Sequence, residues 1–485
     1  YVLSSHERGA ECLLATCAWS QEFAGRVAFV TAADKIHGFT TDRLEFVGRR
    51  GDLAHPEALA RWGLSGAVEP GADPCAALQI HLELAPGATV ETHFVLGQAE
   101  DRDAALALVA RFRQPAEVAA AWTALGASWD ELLDDVRVAT PEPAMDLMLN
   151  RWLLYQTVAS RLSGRIGFYQ ASGAYGFRDQ LQDVLALLHA RPAQTRAHLL
   201  AAAAHQFEDG DVLHWWHPPA GRGVRTRCSD DLLWLPFVTA AYVEATGDVG
   251  VLAEPAPFLR AAPLAPAERD RFAEFEHGPP ASLFEHCRRA LEHGAVMGAH
   301  GLPLMGDGDW NDGMSRIGAL GRGESVWLGW FRCATMERFA GLCARLGDAA
   351  AAATWRGRAT ALRTQVERVA WDGGWYLRAF HDDGSLVGSA KSRECRIDSI
   401  AQSWSVLARA PDARHSARAR LAVDAAHAQL VRERDRMVLL FWPPFDHTHH
   451  DPGYVRAYPP GVRENGGQYT HAATWLGWAH AALGD

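Results

Sequence analysis

Two hydrophobic patterns divide the chain near residue 115. Before that point apolar and polar residues alternate, most clearly over 76–97, where every second position from 78 to 84 is Leu or Ile and Pro86-Gly87 marks a turn. Alternation of this kind, repeated at 11–19 and 25–32, predicts β-strands joined by turns. We therefore predict a β-sandwich over residues 1–115, with its N-terminal part missing.

After residue 115 apolar residues recur at three- and four-residue spacings, which predicts helices. Residues 116–143 are interpreted as a helical linker, and 144–485 as a catalytic domain of helices joined by long Gly- and aromatic-rich loops. The predicted helices of that domain are 145–162, 178–190, 194–206, 230–246, 280–298, 324–346, 349–369, 398–407, 414–432 and 467–483. Conspicuous loops after alternate helices indicate helical hairpins closed into a toroid. An open helical repeat is the alternative, but the sequence has no fixed period to support it.

Composition narrows the class of protein. The net charge is −11 and the basic residues are dispersed, which argues against a nucleic-acid partner. The eight Cys form no Cys-x-x-Cys pair, which favours a reduced compartment without structural zinc. No apolar run reaches the length of a membrane span. The 18 Trp, many beside Gly, Pro, His or Asp, suit a sugar-binding surface, although a large helical core would also hold them.

The stretch 306–314, Gly-Asp-Gly-Asp-Trp-Asn-Asp-Gly-Met, is the strongest chemical signal. It places Asp307, Asp309 and Asp312 in a flexible loop with Trp310 between them. Glycosyl transfer needs a carboxylic acid to protonate the leaving oxygen and an aromatic face for the sugar. A solvated or cation-binding turn is the alternative for such a Gly/Asp loop.

Two further stretches combine charged and aromatic residues. Arg178, Asp179 and Asp183 fall at the start of a predicted helix, where they could hold sugar hydroxyls or an anion. An ordinary helix N-terminus with a nearby Arg is the alternative. Trp215 and Trp216 lie between two His, which indicates a surface for a ligand or, alternatively, a packed aromatic loop.

Near the C-terminus, the His-rich stretch 447–451 lacks the spacing of a zinc motif, so we predict no metal site. The Gly-rich stretch 458–471 contains Glu464 and ends at His471, where a helix begins. Backbone amides at such a start, with the His, predict an anion site. A structural hydrogen bond from the His is the alternative.

Several of these motifs together resemble glycoside hydrolase family 94, the inverting disaccharide and oligosaccharide phosphorylases. The resemblance rests on 177–183, 308–314 and 463–471 and covers essentially the whole chain. The stretches 214–219, 221–227, 397–404 and 451–454 are most similar to its β-1,2-glucan branch, which contains the C-terminal region of cyclic β-1,2-glucan synthases and free-standing oligoglucan phosphorylases. The implied fold is mainly α with an N-terminal all-β domain: an (α/α)6 barrel preceded by a β-sandwich and a helical linker.

The resemblance also implies roles for individual residues. Asp312 matches the general acid, and His471 and Arg178 match phosphate-binding residues. The residues that it places around the substrate are Arg178, Asp179, Asp183, Trp215, Trp216, Asp309, Trp310, Gln402 and Glu464. The family's Thr-Gly phosphate motif would follow Asp485, so we expect the C-terminal end of the barrel to be missing.

The predicted function is inverting phosphorolysis of β-glucosidic bonds, with β-1,2-glucooligosaccharides as substrates and α-glucose 1-phosphate as product. Phosphate is already an anionic nucleophile, so one acid is enough and no cofactor is expected beyond phosphate as co-substrate. Asp312 must be protonated first, and the hypothesis is that Asp309 or Glu464 raises its pKa. The alternatives are an inverting hydrolase and a non-catalytic glucan-binding or length-control module of a synthase.

The expected partners are a glucan and inorganic phosphate. We expect no nucleic acid and no membrane contact by this segment, and either a place in a larger synthase or a homodimer. The expected location is the cytoplasm, at the cytoplasmic face of the inner membrane if the parent is a synthase.

Overall fold

The computed structural model describes residues 1–19, 21, 23–68, 73–164, 173–218, 221–408 and 417–485. The chain folds as two compact units, Tyr1–Leu132 and Leu133–Asp485. The division falls at the end of one helix, so the three predicted ranges 1–115, 116–143 and 144–485 stay a prediction.

The first unit is built on an antiparallel sheet. Its strands are β1 (Val2–Glu7), β2 (Cys12–Cys17), β3 (Val27–Ala32), β4 (Gly38–Asp42), β5 (Pro74–Gln79) and β6 (Phe94–Ala99), and its helices are α1 (Arg43–Val47), the 3-10 turn Glu57–Ala60, α2 (Arg102–Phe112) and α3 (Pro115–Leu133). One sheet has the order β1-β2-β3-β6, and β4 pairs with β5 in a second. Helix α2 buries Ala105 and Val109 in a core with Cys12, Leu14 and Phe29 of the first sheet.

The alternating stretch 76–97 forms less strand than predicted. β5 ends at Gln79 and β6 begins at Phe94, and β6 pairs with β3 instead of with the run before the Pro86-Gly87 turn. Leu82 and Leu84 are exposed. Alternation alone does not form a ladder, because each strand also needs a partner that covers its apolar face. Strand β1, which the pattern did not indicate, gains such a partner in β2.

The second unit is mainly helical. Its helices are α4 (Pro143–Leu147), α5 (Leu153–Gln156), α6 (Phe177–Leu185), α7 (Pro192–Ala203), α8 (Asp231–Thr246), α9 (Leu283–His293), α10 (Val326–Arg345), α11 (Ala349–Val369), α12 (Ser399–Leu407), α13 (Ala417–Leu430) and α14 (Thr470–Leu483). The π-helical turns Met148–Trp152 and Thr157–Ser163 continue α4 and α5, and 3-10 turns form at Val249–Ala253, Asp312–Met314 and Tyr454–Ala457. Every predicted helix overlaps one of these, and residues 414–416 of the predicted 414–432 helix lie outside the described residues.

Short strands lie within the loops between these helices. They are β7 (Tyr175–Gly176), β8 (Leu213–Trp216), β9 (Gly223–Arg225), β10 (Pro255–Arg260), β11 (Arg271–Ala273), β12 (Glu276–Ser282), β13 (Glu324–Ser325), β14 (Ala379–Phe380), β15 (Leu386–Val387), β16 (Ile397–Asp398), β17 (Val431–Arg432), β18 (Met437–Val438) and β19 (Phe441–Trp442). The sheet with the order β11-β9-β8-β7 is antiparallel and leads into the site described below.

The helices alternate between an inner and an outer position. Helices α6, α8, α10, α12 and α14 pack against one another in that order, whereas α7, α9, α11 and α13 pack behind them. The inner α10 is buried on nearly every side, but the outer α11 buries only Ala352, Trp355, Ala359, Leu362 and Val366, one stripe at helical spacing. Because each outer helix returns the chain, the N-terminal ends of the inner helices share one end of the barrel.

Much of the Trp content belongs to the core of this barrel. Trp234, Trp327, Trp330 and Trp404 are all nearly inaccessible to solvent. Ring centroids of Trp234 and Phe331 lie 4.4 Å apart, for example. The core alternative therefore accounts for these residues. Within the described part of the chain, no helix is both long enough and apolar enough to cross a membrane.

Candidate active site

The loop 306–314 lies at the end of the barrel where the inner helices begin. Gly306 has φ +63° and Gly308 has φ +136°, backbone conformations that side chains disfavour. A Cβ atom on Gly306 would also lie 2.2 Å from the carbonyl oxygen of Arg227. These glycines let the loop turn sharply so that Asp309 and Asp312 point to different neighbours.

Arg178, at the start of α6, is the centre of the site. Its guanidinium donates to Asp312, to Asp230 Oδ1 at 2.6 Å and to the carbonyl oxygen of Asp309 at 2.9 Å. Its Nε lies 3.7 Å from Asp231 Oδ1. Burial alone would lower the pKa of Arg178, but Asp230 and Asp312 hold it well above its ordinary value. This buried cation therefore joins the 306–314 loop to the N-terminus of α8.

The environment of Asp312 differs from the sequence hypothesis. Burial by itself would raise the pKa of Asp312, but Arg178 and His214 outweigh it and the pKa lies below its ordinary value. Asp309 and Glu464 were expected to raise that pKa, but the main causes of its shift are burial, Arg178 and His214. In the ligand-free protein Asp312 is thus an ionised carboxylate.

Asp309 forms an ion pair with a second buried cation, Arg378. Arg378 donates to both of its carboxylate oxygens at 2.6 Å, and Ser325 Oγ donates to Oδ2 at 2.6 Å. Arg378 Nε also lies 3.2 Å from Asp398 Oδ2. Ser325 caps α10 and Asp398 caps α12, so this cluster fixes two inner helices. Asp309 is inaccessible to solvent, and both of its carboxylate oxygens are occupied by these partners.

Two other predicted substrate residues also lie in the interior. Gln402 donates to the carbonyl oxygen of Tyr376 and accepts from its N–H, both at 2.8 Å. Trp216 stacks on His205 with ring centroids 3.9 Å apart and is buried. Their roles are structural, because a buried side chain whose bonds or faces are taken offers nothing to a ligand. Trp215 remains half-exposed, 5.4 Å from the ring of Phe272.

Asp179 and Asp183 form ion pairs with Arg161, which was not among the predicted residues. Arg161 Nε lies 3.0 Å from Asp183 Oδ2, and Nη2 lies 3.5 Å from Asp179 Oδ1. Burial raises the pKa of Asp183 to about 6 despite Arg161. Arg161 belongs to the π-helical turn Thr157–Ser163, well before α6, so nothing in the local sequence indicated this pair.

His471 and Trp310 are brought together at the start of α14. Trp310 Nε1 lies 3.3 Å from His471 Nδ1. An indole nitrogen only donates, so Nδ1 accepts and the proton of the neutral ring is on Nε2. Burial, with smaller contributions from Arg178 and Arg161, lowers the pKa of His471 to about 4, although Asp179 opposes the shift. His471 is therefore a neutral donor close to two arginines, while Glu464 pairs with Arg463 at 3.2 Å.

A cavity of about 330 Å³ opens beside Asp312. Its lining residues are His214, Thr226, Cys228, Arg269, Asp270, Asp307, Asp312, Ser315 and Tyr454. The sequence motifs included Asp307, Asp312 and Tyr454, the last without an assigned role, but gave no reason to select Arg269 or Asp270, which come from another loop.

One group in the described ranges has metal-ligand chemistry: His214, Cys228 and Asp231, whose donor atoms lie within 4.8 Å of one another. His214 Nδ1 is already bonded to Asp231 at 2.7 Å, and Arg178 Nη1 lies 3.6 Å from Cys228 Sγ. A guanidinium in this position would repel a divalent cation. The group is better described as part of the ion-pair network than as a metal centre.

The His214 ion pairs predict a pH-dependent stability. Burial lowers the pKa of His214, but Asp231 and Asp312 raise it from 6.5 to about 9. Because the folded pKa exceeds the unfolded one, this stabilisation is complete below pH 6.5 and is lost as the pH rises through about 9. The loss is on the order of 3 kcal/mol. The free energy of unfolding of wild type and His214→Asn, obtained from urea unfolding at pH 6.5 and at about pH 9, measures this loss.

Wild type is expected to lose more stability than His214→Asn between the two pH values. An equal loss in the two proteins would contradict the prediction.

Two family models match this chain, one in its N-terminal part and one in its helical part. The catalytic-domain model of the glycosyl hydrolase 94 superfamily matches residues 128–485, and the glycosyl hydrolase 94 supersandwich-domain model matches residues 1–115. The chain therefore belongs to the glycosyl hydrolase 94 superfamily.

Two individual proteins of related sequence show how much of a longer chain this one covers. The cyclic beta-(1,2)-glucan synthase NdvB of Rhizobium meliloti is 44% identical over 99% of this chain and 17% of its own length. Solabiose phosphorylase of Paenibacillus borealis is 28% identical over 92% of this chain and 54% of its own. The chain thus spans only part of either relative.

The fold also has a counterpart among solved structures. A bacterial glucoamylase complexed with acarbose matches with a TM-score of 0.57 and 8% identity, over 100% of this chain and 66% of that one. With the family matches, this confirms the predicted fold class, an (α/α)6 barrel preceded by an all-β domain.

Proposed function

We infer that this protein is a glycoside phosphorylase, a hexosyltransferase that cleaves β-1,2-glucooligosaccharides with inorganic phosphate and inverts the configuration to give α-glucose 1-phosphate. The observation that carries this proposal is the grouping of Asp312 with nitrogen donors. Arg178 contacts Asp312 directly, and Arg178 and Arg161 both act electrostatically on His471. A carboxyl group for the leaving oxygen and a basic region for an anion are what phosphorolysis requires.

In this proposal Asp312 protonates the glycosidic oxygen while a phosphate oxygen attacks C1 from the opposite face of the sugar. His471 would donate from Nε2 to phosphate, since Trp310 occupies its Nδ1. Arg178 would offset the negative charge of the phosphate while Asp312 is protonated, and the negative charge of Asp312 once it has given up its proton. Trp215 is the aromatic residue that we assign to the sugar, because Trp310 is buried and its ring contacts Tyr469, His471 and Trp475.

The names of the relatives support the choice of substrate and reaction. The Rhizobium meliloti relative is a beta-(1,2)-glucan synthase, which favours β-1,2-linked glucose. The Paenibacillus borealis relative is a phosphorylase, which favours phosphate over water as the nucleophile. Both are larger than this chain, so the whole protein's reaction needs a direct test.

The test is the phosphate dependence of cleavage. The full-length protein is incubated with linear β-1,2-glucooligosaccharides, with and without inorganic phosphate, and glucose 1-phosphate and glucose are quantified separately. We expect glucose 1-phosphate only when phosphate is present. Free glucose formed at the same rate without phosphate would overturn the assignment.

Loss of the His471 donor is expected to weaken phosphate binding selectively. In His471→Asn the amide oxygen can still accept from Trp310, but the Nε2–H donor is gone. A hydrogen bond to a charged group contributes roughly 1.5–3 kcal/mol, so the KM for phosphate rises roughly ten- to hundred-fold. Initial rates at varied phosphate measure it, and the KM for the glucan is expected to stay within about threefold. The control is His480→Gln, which lies further along α14. An unchanged phosphate KM in His471→Asn would contradict the assignment.

One observation favours a hydrolase as the second candidate. Asp270 and Asp307 line the same cavity as Asp312, and an inverting hydrolase needs a second carboxylate to activate water. Asp309 is excluded as that base by its bonds to Arg378. If free glucose is the product and Asp270→Asn or Asp307→Asn abolishes it, the hydrolase assignment replaces the phosphorylase one.

A further inference from the structure

His214 lies between two carboxylates of the site and has no part in the reaction steps assigned to Asp312, His471 and Arg178. Its Nδ1 is 2.7 Å from Asp231 Oδ2, at the first residue of α8. Its Nε2 is 4.0 Å from Asp312 Oδ2, the oxygen opposite the one held by Arg178. His214 belongs to β8, which pairs with β7 and β9, and it lies at an irregularity of the β8–β9 register between Leu213 and Trp215. His214 is thus held by Asp231 with Nε2 directed toward Asp312.

The other groups near Asp312 are poor sources of a proton. An arginine does not deprotonate in proteins, so Arg178 can only balance charge. Cys228 Sγ lies 3.7 Å from Asp312 Oδ1, but burial and the neighbouring carboxylates raise the pKa of this thiol well above its ordinary value. His214 is the described neighbour of Asp312 whose ring carries a proton at neutral pH and gives it up more readily than the Cys228 thiol or an arginine.

Charged and titratable groups surround His214 on several sides. Asp231, Asp312 and Arg178 act on its charge, with the carboxylates favouring the imidazolium and Arg178 opposing it. Across the cavity, the facing groups are Cys228, Arg269, Asp270, Asp307 and Tyr454. His214 is partly exposed to this cavity, so water can reach the ring.

We propose that His214 is the residue that protonates Asp312 for each catalytic cycle, and that Asp231 orients it for this transfer. The proposal rests on the phosphorylase function inferred above. When phosphate binds, its negative charge offsets Arg178 and makes protonation of Asp312 easier. A small movement or one bridging water closes the 4.0 Å gap between His214 Nε2 and Asp312 Oδ2.

The proposed transfer conserves protons over one turnover. The N–H bond of His214 breaks and an O–H bond forms on Asp312, which leaves a neutral imidazole. Asp312 passes this proton to the glycosidic oxygen as the C1–O bond breaks, with the electron pair leaving on that oxygen, and a phosphate oxygen bonds to C1. Phosphate enters as HPO4²⁻ and leaves as the dianionic ester. The proton that phosphate loses returns to His214 through water in the cavity.

The test is the pH profile of phosphorolysis in the full-length protein with β-1,2-glucooligosaccharides and inorganic phosphate. In His214→Asn the amide nitrogen takes the place of Nδ1 and keeps the Asp231 bond, but Nε2 is gone. His214→Gln instead places an amide near Nε2 that cannot titrate. We expect kcat to fall roughly 10²- to 10³-fold in both, with the alkaline limb of the profile moved to lower pH. The exposed His189→Gln is the control.

If the role of His214 were purely structural, its replacement would lower kcat without shifting the alkaline limb of the pH profile. An alkaline limb unchanged from wild type in either folded variant therefore overturns the proposal, and circular dichroism melting establishes that the variants fold. Failure of the wild type itself to form glucose 1-phosphate would instead reject the phosphorylase function. The two failures are thus distinguishable.

Discussion

Replacement of Asp312 by Asn is expected to reduce phosphorolysis roughly 10³-fold or more, because the leaving oxygen would then depart without a proton. The amide is nearly isosteric and can still accept from Arg178, so oligosaccharide binding is expected to stay within about threefold of wild type. Initial rates of glucose 1-phosphate formation and calorimetric titration of the glucan measure the two effects.

A matched control separates this effect from a general change of charge. Asp424→Asn alters an exposed carboxylate on α13 and is expected to leave both rate and binding unchanged. Normal phosphorolysis by the Asp312 variant would remove the general acid from the proposed mechanism. A loss of glucan binding equal to the loss of rate would instead make Asp312 a binding residue.

Arg378→Met is expected to destabilise the protein more than any surface change. Arg378 is inaccessible to solvent and is the cation that pairs with Asp309 and Asp398. Its loss leaves two buried carboxylates without a counter-ion, which typically costs about 3–5 kcal/mol. Urea unfolding at neutral pH measures the change in free energy.

The control for this prediction is Arg260→Met. Arg260 forms an exposed ion pair with Glu208 at 2.9 Å, and such pairs contribute about 1 kcal/mol or less. If Arg378→Met costs no more than this control, the buried cluster does not hold α10 and α12 in place. Restored stability in the triple variant with Asp309→Asn and Asp398→Asn would support the charge explanation.

The sequence predicted the helices of the barrel well, because their three- and four-residue periodicity is a local property. Arg178 and His471 each lie at the second residue of an inner helix, α6 and α14, and the roles assigned to them stay predictions. Strand pairing was less predictable. Residues 80–84 alternate as a strand does, yet whether a partner strand covers them depends on distant parts of the chain.

Three residues that the sequence placed around the substrate are buried and engaged by other parts of the protein, and the physical cause is the same for all three. Asp309 belongs to the right loop, but Arg378, 69 residues later, takes its carboxylate. Gln402 is polar and Trp216 aromatic, yet both are enclosed by side chains from other helices and strands. Conversely, Arg161 and Asp231 entered the network through partners 22 and 17 residues away. Residue type and spacing indicate which chemistry is present, whereas burial and long-range pairing decide which groups remain for a ligand.

The most direct test of the central claim is the anomeric form of the first product. Full-length protein, β-1,2-glucooligosaccharide and inorganic phosphate are followed by ¹H and ³¹P NMR from the first turnover. The account predicts α-glucose 1-phosphate, formed in step with shortening of the glucan. Free glucose as the first product, β-glucose 1-phosphate, or binding of the glucan without any cleavage would each contradict it.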